Sequence, residues 1–424
     1  MKKIFVIMLS ALILAACAEA PEEVKRENEV LDRTEDAVRE NAEDSRDELT
    51  LSTMEEIRAA LENDIRQNAT NVSAAKVFVS DAESMPVYTI KRHFGTVDVF
   101  KKIIAESLGS CDEGDLGHSE DGHSYFQWSP TEVLNYNNEC EGSWFYPDTT
   151  DKKEAPKFFY SDCGMFIHSE GDPYAGEVAD TYDLRKGDTF PEEKLTLTDG
   201  GRCSVAEAVK ESEEEAEKYI SRLFCEGMSV RVYMASVYRQ DSGSSITMYA
   251  DIVMPNGAPV LCGAKIAGDV MSRYYDGKSP MMPENILVFS KSGAGKPADV
   301  IINRTPAPDE QTESGDRLLS YGEAVKLLSS RLATASAYEF DCASLEYVIS
   351  APYSERYCAQ AVYGDGSAFM DFYNELYYHM DDNREYLRPC WVFRDLSKQC
   401  EGENEWVQGG IYTVDALTGE IGIY

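Results

Sequence analysis

Ser204-Val-Ala-Glu-Ala-Val-Lys210 and Ser320-Tyr-Gly-Glu-Ala-Val-Lys326 are the two stretches on which the fold turns. Both fit S-x-x-E-A-V-K. The physical content is a helix start. The serine hydroxyl accepts from the amide three residues on, and the glutamate reaches back to the serine amide. Ser204, Glu207, Ser320 and Glu323 are therefore read as caps. The likeness continues downstream. Cys225 lies 21 residues after Ser204, and Cys342 lies 22 after Ser320. Each precedes an alternating strand, Ser229-Val-Arg-Val-Tyr-Met-Ala235 or Ser344-Leu-Glu-Tyr-Val-Ile-Ser350. In the first copy the run Ile246 to Val253 follows, closed by the turn signal Pro255-Asn-Gly257. In the second come Tyr357 to Tyr363 and Pro389 to Phe393. The pattern predicts an α+β chain of tandem helix-plus-antiparallel-meander units, residues 196–308 and 309–424.

Upstream, residues 53–195 are expected to form a separate α+β module. Thr53-Met-Glu-Glu56 has capping-box spacing, and Met54, Ile57, Leu61 and Ile65 continue one helical face. Lys76 to Val79, Val87 to Ile90, Tyr125 to Trp128 and Lys157 to Tyr160 are strand-like. Thr96 is placed to cap a helix bearing Val97, Phe100, Ile103, Ile104 and Leu108. Residues 110–122 are Gly- and Asp-rich loop, and 169–194 are expected to be a long surface connection.

The first seventeen residues indicate the compartment. Met1-Lys2-Lys3 precedes an apolar run from Ile4 to Ala16, too short to span a bilayer comfortably. Leu14-Ala15-Ala16-Cys17 places small residues before a cysteine that can carry a diacylglyceryl thioether. This segment resembles a bacterial lipoprotein lipobox, which implies lipidation at Cys17 and a tether to the membrane. Residues 18–52 are expected to be an acidic tether. From Ala18 to Glu48 there are 13 acidic and 5 basic residues and no aromatic. Ten cysteines remain beyond Cys17. In an exported chain an even number suggests disulfides, and the local pairs Cys390–Cys400 and Cys342–Cys358 close short loops. Buried free thiols are the other reading.

Forty Lys and Arg stand against 76 Asp and Glu, a net charge of −36. Such a surface repels phosphate backbones, which excludes nucleic acid as a partner. Catalytic signatures are missing from the sequence: there is no H-E-x-x-H, G-x-S-x-G or G-x-x-x-x-G-K-[ST]. Cys111, Asp115, His118, Asp121 and His123 lie close enough to suggest zinc, but the spacing fits no standard site, and a solvated loop is the expectation. Asp381, Asp382 and Glu385, or Asp162, can be drawn as acid/base groups, yet in so acidic a chain a solvated surface explains them. Asp415 is placed to bond the amides of the Thr418-Gly419 turn. Phe369, Phe372, Tyr373, Leu376, Tyr377 and Tyr378 form a dense aromatic face, as core or as a glycan- or peptide-binding platform. Trp128 and Trp144 carry the same two readings. Neither a metal nor a cofactor is expected.

The helix start, the meander and the terminal Val414-Asp-Ala-Leu-Thr-Gly-Glu-Ile421 together resemble the PepSY domain. The match covers Ser320 to Tyr424, and Ser204 to Ile302 by its helix and first strands only, since the first copy lacks the terminal motif. Tandem units behind an anchor are also similar to YycH/YycI-type extracytoplasmic regulators and to lipoproteins of Gram-positive gut bacteria. The resemblance implies a non-enzymatic regulatory or inhibitory lipoprotein that binds an envelope protein such as a sensor kinase or peptidase. Solute or glycan binding is the alternative, ahead of a hydrolase built on an unrecognised carboxylate site.

Overall fold

In the computed structural model of the chain, the described residues are 49–67, 70–91, 99–100, 102–103, 106, 125–128, 142–145, 157–161, 165–169, 177–261, 286–293, 295, 299–303, 305–332, 337–350, 386–396, 399–401, 406–408 and 411–423. Three helices begin where their caps predict. Helix α1 (Met54–Arg66) opens on a reciprocal box: Thr53 Oγ1 accepts from the Glu56 amide at 3.3 Å, and Glu56 Oε2 accepts from the Thr53 amide at 2.8 Å. Helix α2 (Val205–Leu223) repeats this with Ser204 and Glu207, at 3.1 and 3.0 Å. Helix α3 (Tyr321–Arg331) has only half of it. Ser320 Oγ accepts from the Glu323 amide at 3.3 Å, while the Glu323 carboxylate turns to Lys326 Nζ at 2.6 Å. The Gly322 amide near that helix start donates to Asp64 Oδ2 of α1 at 3.0 Å.

The strands form two arrays. In the first, the order is Glu177–Asp183, Ser229–Gln240, Gly243–Val253, Ile286–Lys291, Asp299–Asn303, Met165–Ser169, Lys157–Ser161, Gly142–Phe145 and Tyr125–Trp128, antiparallel throughout. In the second, Val72–Val79 runs parallel to Tyr338–Ser350, and Tyr386–Arg394, Ile411–Asp415 and Ile421–Ile423 follow antiparallel. Val87–Ile90 also pairs with the start of Tyr386–Arg394 and carries Pro308–Glu313 on its other side. The two-residue strand Pro259–Val260 joins the arrays, pairing antiparallel with Ile252 and Val253 and parallel with Tyr347. Followed strand by strand, these pairings branch without returning to their start.

This corrects the expected fold class. Among the described residues there are three helices against twenty-three strands, seventeen of them in one large mixed sheet, not tandem helix-plus-antiparallel-meander units. The physical reason lies at the strand edges. A separate second unit would leave one edge of Tyr338–Ser350 with unpaired amides and carbonyls. Val72–Val79 and Val260, from elsewhere in the chain, take up that edge. Leu51–Ser52 pairs with Leu318–Leu319 in the same way, and Leu51–Tyr424 is one compact unit. The 169–194 stretch, expected as a surface connection, contains the edge strand Glu177–Asp183.

Each array has one face against helix. Helix α2 buries Val205, Ala208, Val209, Ala216, Tyr219, Ile220 and Leu223 at three- and four-residue spacing. It packs on Ser229–Gln240 and Gly243–Val253, with the Ser212 hydroxyl 3.6 Å from Met248 Sδ. Helix α3 packs on α1, Val72–Val79 and Ile411–Asp415. The Tyr321 ring lies 5.5 Å from Trp391 and 6.1 Å from Phe393, and Trp391 Nε1 donates to the Leu319 carbonyl at 2.9 Å. Side chains alternate across a strand. Since Met248 and Trp391 face helices, Asp251 on one array, and Glu346 and Arg394 on the other, face away from them. Among the described residues, no helix is long and apolar enough to cross a membrane.

Candidate functional site

Two interior ion pairs and one further carboxyl form a charge cluster on the helix-free faces. Asp183 ends its strand and starts a tight turn, in which its amide donates to Asp188 Oδ2 at 2.9 Å. Its carboxylate accepts from the Arg185 amide and Nε at 2.9 Å each, and from Nη2 at 2.8 Å. The Arg185 guanidinium also sits 4.1 Å from the centre of the Tyr233 ring, a cation–π placement. Gly187 closes the turn at φ +94°, and a Cβ there would run into Lys76 Nζ.

The second pair bridges neighbouring strands. Arg394 Nη2 donates to Glu346 Oε2 at 2.6 Å. Nη1 donates to Glu346 Oε1 at 3.0 Å and to Ser344 Oγ at 2.7 Å, and the Ser344 hydroxyl donates to Glu346. Register explains the geometry. Cys342 pairs with Arg394, Ser344 with Val392 and Glu346 with Cys390, so these side chains share one face. Burial pushes the Glu346 carboxyl up, but Arg394 and Ser344 outweigh it and hold the group below its usual range.

Asp251 differs from both. It is 7% exposed and accepts no hydrogen bond among the described residues. Its register partner across the hairpin is the exposed Arg231. Burial pushes its pKa up to about 7, and Glu346 adds to this, while Arg394, Arg231 and Arg185 oppose it. The cluster therefore holds two guanidiniums, each clamped by its own carboxylate, and a third carboxyl with no clamp. Chemically it is a closed electrostatic joint. Its charges are spent on one another, and breaking either pair would leave a buried ion uncompensated.

Several other buried polar groups have partners within the chain, whereas the buried hydroxyls of Ser80, Ser245 and Thr305 have none among the described residues. Lys291, 1% exposed, donates to Glu211 and to the Gly295 carbonyl. Asn256 Nδ2 donates to the Ser84 carbonyl at 3.0 Å and to the Tyr347 hydroxyl at 3.2 Å, and burial raises that phenol's pKa. Asp415 Oδ1 accepts from the Leu417 and Thr418 amides at 2.9 and 2.8 Å, shaping the last turn, and Oδ2 accepts from Arg388 Nε at 2.5 Å.

The residues singled out in the sequence are scattered relative to this cluster. Ser204 and Glu207 form their box, whereas Ser320 and Glu323 sit at the third helix start with Glu323 turned away. Cys390 is buried with a free thiol, which burial pushes well up. Cys400 lies on the strand Gln399–Glu401, and its side chain is outside the described residues. Cys342 is also buried and free. Cys17, Cys358, the Cys111–His123 segment, Asp162, the 369–378 aromatic face, Asp381, Asp382 and Glu385 lie outside the described residues. Trp128 and Trp144 lie on strands, with Phe126 opposite Trp144, and their side chains are outside the description.

The charge cluster itself has a signal in the sequence. Asp251 interrupts the run Ile246 to Val253, and Glu346 interrupts Leu345-Glu-Tyr-Val-Ile349, each an acid inside an apolar strand. No family model matches the chain, and no curated protein and no solved structure matches it.

Proposed function

We propose that this chain is a non-enzymatic, lipid-anchored extracytoplasmic protein that binds a protein partner in the cell envelope. Cys17 carries the anchor in this reading, and a PepSY-like regulatory or inhibitory role, toward a sensor kinase or a peptidase, fits the terminal Val414 to Ile421 motif. The observation that carries the reading is an apolar side chain on a strand edge. Val178, 46% exposed, lies on Glu177–Asp183, which pairs only with Ser229–Gln240 among the described residues. Phe78, 44% exposed, lies on Val72–Val79, which likewise has one neighbour. Unpaired edge amides and carbonyls beside an apolar anchor favour the addition of a partner's strand. The two interior guanidiniums, by contrast, already have carboxylate partners within the chain.

The test is in-cell cross-linking of the tagged protein, followed by identification of what co-purifies. Point variants are the right controls, because truncation at residue 320 would remove strands that complete the sheet. Recovery of one envelope protein, lost with Val178→Lys or Phe78→Lys, is the expected result. Recovery of wall material alone, with saturable binding of a glycan or small solute by the purified chain, would replace this reading with ligand binding.

A further inference from the structure

We propose that Asp251 is a proton-operated catch between the two strand arrays: protonated, it lets them close over the charge cluster, and ionised, it competes with Glu346 for Arg394 and loosens the joint. The proposal concerns the chain alone and does not depend on what partner it binds.

The geometry carries the argument. Asp251 is more than nine-tenths buried on Gly243–Val253 and has no hydrogen-bond donor among the described residues. The groups that act on it come from every side. Arg231 stands across the hairpin on Ser229–Gln240, Arg185 comes from the turn after Glu177–Asp183, and Glu346 and Arg394 come from the second array. Arg185 is committed to Asp183, and Arg394 to Glu346 and Ser344. The interior is therefore neutral while Asp251 keeps its proton and carries one uncompensated negative charge when it loses it, with only the exposed Arg231 uncommitted. A two-sided demand on Arg394 is the consequence, and Arg394 is the group that Asp251 and Glu346 share.

Burial sets the working range. A carboxyl pushed up to about 7 changes charge across neutral pH, unlike an ordinary Asp. The sign follows from proton linkage. The folded state binds the proton more tightly than the unfolded state, so stability is intact below the usual carboxylate range, falls as pH rises toward about 7, and levels off above it. Glu346, held low, works in the opposite direction, and its contribution is lost only in acid.

Hydrogen exchange on the full-length chain tests this, with rates corrected for intrinsic pH dependence. Amides of Gly243–Val253 and Tyr338–Ser350 are expected to lose roughly tenfold or more in protection between about pH 5.5 and about pH 8.5. Asp251→Asn is expected to hold protection constant over that range. Constant protection in the native chain, or an unchanged loss in Asp251→Asn, would overturn the proposal. Should Asp251→Asn fail to fold, infrared spectra of the native chain decide the matter. A protonated-carboxyl band must persist at about pH 6, where exposed carboxyls have ionised, and vanish by about pH 8.5. No band at about pH 6 refutes the catch.

Discussion

The two S-x-x-E-A-V-K segments begin alike and end in different surroundings. At the first, Ser204 and Glu207 close a reciprocal box, and the helix lies on an array that is antiparallel throughout. At the second, Glu323 leaves the box for Lys326, Asp64 of another helix supplies an acceptor, and the following strand runs parallel to one from the start of the domain. The difference teaches that the motif encodes a helix start and nothing larger. What the helix packs on, and which strands join behind it, is decided by remote segments that supply missing edges and partners.

The strongest way to break this comparison is to attack the interior pair that belongs to the second copy. Arg394→Met leaves Glu346 buried without its guanidinium and is expected to cost about 3–5 kcal/mol in urea unfolding. Arg185→Met should cost less, because that side chain is 14% exposed and Asp183 stands beside solvent-reaching turn backbone. Adding Glu346→Leu to Arg394→Met should recover much of the loss, since the penalty comes from the orphaned charge.

The caps sharpen the comparison further. Ser204→Ala and Ser320→Ala are each expected to lower stability by about 1 kcal/mol, since each hydroxyl accepts one helix-start amide. Glu207→Gln should destabilise the protein at neutral pH, and the difference should vanish as acid protonates the native carboxylate. The Ser204 amide and Lys194 hold that carboxyl below its usual range, so its contribution is present above that range and lost on acidification. Thermal unfolding at several pH values checks this. Glu323→Gln is the smallest effect. It removes only the exposed pair with Lys326, worth a few tenths of a kcal/mol.

Local chemistry made the helix starts legible, and the terminal turn as well: Thr53, Ser204, Ser320 and Asp415 each act on backbone within a few residues. Strands such as Val87–Ile90 and Tyr125–Trp128 were equally readable from composition and bounds. The merged sheet was not. Parallel pairing of Val72–Val79 with Tyr338–Ser350 leaves no local mark, because each strand's pattern is compatible with many neighbours. The same limit hid the charge cluster. Among 76 acids, Asp251 and Glu346 stand out only by the apolar runs they interrupt, and the guanidinium that clamps Glu346 comes from another strand.

The Arg317 side chain donates to the Leu51 carbonyl across 266 residues of chain, next to the short ladder between Leu51–Ser52 and Leu318–Leu319. Contacts of such range must wait for loop closure, which makes acquisition of the native state slow. During synthesis the strands Leu51–Ser52, Val72–Val79 and Val87–Ile90 have no strand partner among the described residues until the last third of the polypeptide exists. The nascent chain thus stays short of its final form for as long as it is being made.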